Sequence, residues 1–181
     1  MKVLIVVDMQ NDFISGALGS PEAVTIVNNV VERIEKSVNE LVLFTQDTHQ
    51  CDYLDTPEGK NLPIIHCVEN TDGWKINETI QNAWRNNKST IIIPELHENT
   101  FTKTVFGSVD LVQFLKLRSE ITEIELLGVC TDICVISNAL MIKNTLPDIK
   151  ITVNAACCAG VTPQSHTEAL NVMKMCHIDV A

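Results

Sequence analysis

Cys134 stands where the sequence pattern places a nucleophile. Ile121–Leu127 alternates apolar and polar residues and then turns fully apolar, as a strand entering a core does. After Gly128-Val129-Cys130-Thr131-Asp132-Ile133, the run Cys134–Ile142 has the length and composition of a buried helix. Thr131 and Asp132 are residue types that cap helix starts, which puts Cys134 in a first helical turn. The unpaired N–H groups and the helix dipole favour an anion there. The sequence therefore predicts a thiol that ionises near neutral pH.

Two other residues could activate it. Asp8 closes the apolar run Val3–Val7, where a carboxylate is costly unless it is paired or used. As a base it would take the thiol proton and later hand it to a leaving group. Lys103, between Phe101 and Phe106, could sit in a semi-buried cleft, stabilising a thiolate and keeping Asp8 ionised. Thiol, carboxylate and ammonium together make a nucleophile with its activating groups.

A second constellation has metal-ligand chemistry. Asp47 and His49 follow the run Leu41–Thr45, and residues i and i+2 of an extended segment point to one side. With His66 they offer two imidazoles and a carboxylate. That set suits a divalent metal ion (Zn, Fe or Mn) with open positions for water or substrate. Phe13 and Trp74 are candidate walls for a flat ring, while His97, His166 and His177 read as structural histidines.

The elements that must position these residues alternate. Apolar, β-branched runs fall at 2–8, 40–46, 89–93, 121–128, 149–154 and 177–181, with helix-like stretches at 22–37, 77–86, 108–118, 134–145 and 164–176. Ser20-Pro21, Ser108 and Thr162-Pro163 look like helix starts. Such alternation implies βαβ units and a parallel sheet with helices on both faces, an α/β fold. Ligands bind such sheets at the carboxyl ends of strands. Asp8, Asp47, Lys103 and Cys134 all follow strand-like runs, so one crevice can collect them. The irregular region 47–74 is long enough to be functional.

Composition bounds the rest. The 181 residues suit one domain spanning 1–181. A formal net charge of -10 argues against nucleic acid or an anionic membrane as partner. No apolar run approaches the roughly 20 residues of a membrane span. Met1–Val7 reads as a buried strand rather than an export signal. Seven scattered cysteines imply free thiols in a reducing cytoplasm. Ile178–Ala181 would be a bare sheet edge, from which a homo-oligomer is expected.

With those residues in view, the chain resembles the isochorismatase-like cysteine hydrolases, and within them the nicotinamidase-related branch. Asp8-Met9-Gln10-Asn11-Asp12-Phe13 resembles the family's D-x-Q-x-D-F opening, and Thr45–His49 its T-x-D-x-H motif. His66–Trp74 is similar to its H-C-x-x-G-T-x-G segment, Lys103–Ser108 to its lysine motif, and Gly128–Val135 to its nucleophile motif. The resemblance implies a three-layer α/β/α fold with a six-stranded parallel sheet and a catalytic triad of Asp8, Lys103 and Cys134. It also implies a cis peptide between Val129 and Cys130, an oxyanion hole from the N–H groups of Cys130 and Cys134, and a divalent metal on Asp47, His49 and His66 that meets a pyridine nitrogen. The substrate so implied is a small amide, nicotinamide in the first instance.

Three departures surround the ring pocket. Pro63 stands where nicotinamidases commonly have tryptophan, and Glu69-Asn70 where the family often has glycine. Cys51, Asp52, Asp55 and Glu58 follow the metal motif, none in a register that assigns a further ligand. The alternatives are hydrolysis of another small amide or carbamoyl compound and, from a different class, a catalytically silent binding module.

Overall fold

The structure is a computed structural model that describes residues 1–181. Six strands form one sheet: β1 (Lys2–Val7), β2 (Leu41–Asp47), β3 (Thr100–Lys103), β4 (Glu123–Val129), β5 (Lys150–Ala159) and β6 (Asp179–Val180). Their order is β3-β2-β1-β4-β5-β6, and every pairing is parallel. The helices are α1 (Asn11–Ile14), α2 (Pro21–Glu35), α3 (Pro57–Asn61), α4 (Glu78–Asn86), α5 (Val109–Lys116), α6 (Ile136–Thr145) and α7 (Pro163–Met175). Helices α2 and α4 pack together, while α5, α6 and α7 pack in succession. This is the six-stranded parallel α/β arrangement that the resemblance implies.

Local chemistry explains the elements. Residues Val3–Val7 of β1 and all of β2 are buried, as strands covered on both faces must be. Ser20, Ser108 and Thr162 each cap a helix by accepting a backbone N–H, and Pro21 and Pro163 occupy first helical positions. One strand lies elsewhere than expected. Ile91–Ile93 is not a strand, and β3 is the more polar Thr100–Lys103. Asn99 accounts for this. Its side chain accepts from Ile93 N and donates to the carbonyls of Ile91 and, in β2, Val42, so it fastens the isoleucine segment in place.

In a sheet of this order the chain reverses direction of winding between β1 and β4, and a crevice opens beyond the carboxyl ends of those strands. Gly128 lets them approach there. It has φ +121°, and a Cβ on it would lie 2.1 Å from the Val7 carbonyl oxygen. Gly128→Ala is expected to lower stability by about 3 kcal/mol or more, a drop in Tm of roughly 6–12 °C for a domain of this size. A thermal melt checks it; an unchanged Tm would contradict the close approach of β1 and β4.

Candidate active site

The crevice gathers side chains from four strand ends. The pairing of β2 and β3 sets Asp47 opposite Lys103, and Asp8 follows β1 directly. Lys103 Nζ lies 2.7 Å from Asp8 Oδ2, 3.1 Å from Asp47 Oδ1 and 3.7 Å from Cys134 Sγ. All four residues are buried. Asp8 holds a left-handed backbone conformation (φ 48°), which turns the chain sharply at the strand end and which aspartate tolerates better than most residues. Thr45 Oγ1 donates to Asp8 Oδ1 at 2.7 Å. Asp8 Oδ2 touches the ammonium without an aligned hydrogen bond, so it keeps a lone pair for another proton.

Burial and charge set the protonation states. Burial raises the Asp8 carboxyl above its usual value, with Lys103 pulling the other way. Burial favours neutral Lys103 too, but the Asp8 and Asp47 carboxylates outweigh it and hold the ammonium. At Asp47 burial opposes the anion, and His49 and Lys103 prevail to lower the pKa. Burial, then the Asp8 charge, pushes the Cys134 thiol well above its ordinary value despite Lys103. This corrects the sequence reading: the resting group is a thiol beside a base, not a free thiolate.

The local backbone also departs from the expected capped helix start. Thr131–Val135 forms a single π-helical turn before α6, and neither Thr131 nor Asp132 caps it. The Thr131 hydroxyl instead lies 2.8 Å from His166 Nδ1 on α7, and the Asp132 carboxylate accepts from Val161 N. Val129–Cys130 is cis. The Cys130 N–H donates to no group in the chain, while the Cys130 carbonyl accepts from the N–H groups of Ile133 and Val135.

Asp47, His49 and His66 come together with ligand atoms within 4.8 Å of one another. Their chemistry fits a cation. His66 Nδ1 lies 2.8 Å from the Ile64 carbonyl, which can only accept, so the ring proton sits on Nδ1 and Nε2 carries a lone pair. His49 Nε2 is 2.9 Å from Asp47 Oδ2 yet makes no aligned hydrogen bond, a buried lone pair left for something else. Glu58 Oε1 lies 3.8 Å from His49 Nε2, brought there by α3. The sequence reading left this residue unassigned, since nothing in the spacing reveals a helix between His49 and His66. The donor set suits a divalent metal.

A cavity of about 500 Å³ lies over thiol and imidazole alike, lined by Cys134 and Cys130 together with Asp47, His66 and Glu58. Phe13 lines it as expected, with its ring centroid 5.5 Å from that of His66. Trp74 does not line it. Its indole N–H donates to the Thr48 hydroxyl at 2.8 Å, and Phe106 supplies the other phenyl wall.

The isochorismatase domain model matches residues 2–181. The chain belongs to the isochorismatase family. It is 25% identical to the nicotinamidase of Schizosaccharomyces pombe over a 210-residue alignment covering 98% of this chain and 91% of that protein. Among solved structures it is similar to the nicotinamidase PncA of Bacillus subtilis (28% identity, TM-score 0.82, 99% and 98% of the two chains). It is also similar to the pyrazinamidase of Pyrococcus horikoshii solved in complex with zinc (25% identity, TM-score 0.78, 99% and 98%). Family membership and these relatives together indicate an amide-hydrolysing enzyme.

Further residues complete this isochorismatase-family site. The Gln10 side chain donates to the Asp47 carbonyl and accepts from the Asp47 N–H, gripping both backbone polar groups of that residue. Asn138 donates to the carbonyls of Cys134 and Phe106 and accepts from Ser108 N, tying the turn that carries Cys134 to the segment after Lys103. Both are buried amides, and their roles are tertiary ones that composition does not reveal. Metal-free protein titrated with Zn²⁺ is expected to take up one equivalent. His49→Ala should weaken binding by at least about 100-fold and Gln10→Ala by about 10–100-fold, the effect typical of outer-shell partners. Wild-type affinity in Gln10→Ala would show that Asp47 needs no such grip.

Proposed function

We propose that this enzyme hydrolyses nicotinamide to nicotinate and ammonia through a thioester on Cys134. The observation that carries the reading is Lys103, which contacts Asp8, Asp47 and the Cys134 thiol at once and so joins the nucleophile to the imidazole cluster.

Asp8, raised in basicity by burial, takes the thiol proton as Cys134 Sγ attacks the amide carbonyl. Lys103 stays charged throughout and offsets the negative charge that passes between Asp8 and sulfur. The N–H groups of Cys130 and Cys134 receive the oxyanion, and the first of these has no competing acceptor. Asp8 then protonates the departing nitrogen, accepts a proton from the incoming water, and the thioester hydrolyses to acid and free thiol. Phe13 and Phe106 flank the flat ring. Asp47, His49, His66 and, as a fourth donor, Glu58 would hold a divalent cation, which supplies a Lewis-acidic anchor for a ring nitrogen.

Ammonia release from nicotinamide by the metal-loaded enzyme tests this. Wild type should turn over, with Cys134→Ala falling below about a thousandth of its rate and Asp8→Asn losing about 10²–10⁴-fold. No release by wild type would remove nicotinamide as the substrate. The pH profile carries its own sign. Only ionised Asp8 can accept the thiol proton, and its pKa is raised, so kcat/KM should fall on the acid side at a pH above the ordinary value of about 3.9 for a free aspartate. An acid limb at that ordinary value would contradict the base role.

A further inference from the structure

We infer that the site accepts uncharged primary carboxamides with an acyl group larger than one ring, of fused two-ring aromatic size. This deepens, and rests on, the amidase reading. A single-ring amide occupies roughly the space of four or five waters at about 30 Å³ each. The cavity of about 500 Å³ is several times that and lies within the range of about 300–1,000 Å³ typical of drug-sized ligands.

The excess volume has a direction. The cation-binding carboxylate Asp47 and the Cys134 thiol both touch Lys103 Nζ, at 3.1 and 3.7 Å, so the two anchors lie close together at one end of the cavity. The cavity continues past them to Ala159, Gly160 and Val161 at the end of β5, one strand spacing of about 5 Å further, and to Leu18 and Ala23 around the start of α2. These are small or apolar side chains. The leaving nitrogen cannot use that room: its proton donor, Asp8, is fully buried beneath the cavity, so the amide nitrogen points into the protein and stays unsubstituted. The spare volume therefore serves the acyl group.

Charge narrows the class. No lysine or arginine lines the cavity, and its acidic side chains are Asp47 and Glu58. Lys103 lies underneath, already paired with two carboxylates. An acyl group carrying its own carboxylate would meet Asp47 and Glu58 and find no cationic side chain in this lining to pair with, which disfavours it relative to a neutral one.

The test compares kcat/KM of the metal-loaded wild type for nicotinamide, quinoline-3-carboxamide and 5-carboxynicotinamide. The fused-ring amide should be used within about threefold of nicotinamide, and the carboxylated one at least about 100-fold less well, a span that pocket contacts can supply. Val161→Trp, at an exposed cavity-lining position, should lose the fused-ring amide at least about tenfold more than nicotinamide. Leu18→Trp gives the same comparison should the first variant fold poorly, with Tm recorded for both. Good turnover of nicotinamide with a fused-ring amide about 100-fold poorer would overturn the inference and leave the amidase reading intact. Equal use of the carboxylated amide would overturn the charge limit. No turnover of any of the three would overturn the amidase reading and this inference with it. Use of the fused-ring amide alone would uphold the inference and move the substrate away from nicotinamide.

Discussion

One buried ammonium holds this site together. Lys103 sits between two carboxylates, Asp8 and Asp47, with the Cys134 thiol as its third neighbour. Desolvating three charges is costly, and removing one partner of a buried pair typically costs about 3–5 kcal/mol because it strands the other. The cluster therefore makes a poor stabiliser and a good registration device. It exists only if β1, β2 and β3 end at the same height and the turn after β4 reaches across to them. The parallel sheet order meets that condition, with the winding reversal between β1 and β4 leaving the crevice open above.

Asp47 is the hinge of the arrangement because its two oxygens serve different chemistry. Oδ1 meets Lys103, and Oδ2 meets the His49 imidazole at 2.9 Å and that of His66 at 3.7 Å. Charge on the cation side is thereby felt at Lys103 and the Cys134 thiol through a single side chain, with Gln10 holding the backbone N–H and carbonyl of Asp47. On the opposite side Asp8 divides its labour in the same way. Oδ1 is fixed by Thr45, while Oδ2 retains a lone pair beside the ammonium. A thiol held neutral by burial needs a base before it can react, and Asp8 is the carboxylate that the proposed mechanism gives that task.

Much of this was legible in the sequence. Asp8, Asp47 and Cys134 each end or follow an apolar run, and strand ends are where a parallel sheet keeps its polar side chains. What escaped depended on tertiary contacts. The isoleucines at 91–93 look like a strand by composition, yet Asn99 fastens them and the polar segment after it takes the ladder. The turn before α6 looked like a capped helix start, but Thr131 is drawn to His166 and Asp132 to Val161, and burial governs the thiol instead of a dipole. Trp74 has the right size for a ring wall and the wrong direction, its indole committed to Thr48. Glu58 reaches His49 only because a short helix folds back within the irregular region.

The covalent role of Cys134 is the central claim, and partitioning of the acyl group tests it most directly. Nicotinamide and methyl nicotinate would pass through one and the same thioester, so with hydroxylamine present the ratio of hydroxamate to acid must be identical from both. An equal ratio, abolished together with turnover in Cys134→Ala, is the expected result. Ratios that differ between the two substrates would mean that water attacks the amide directly and that the thiol is not the nucleophile.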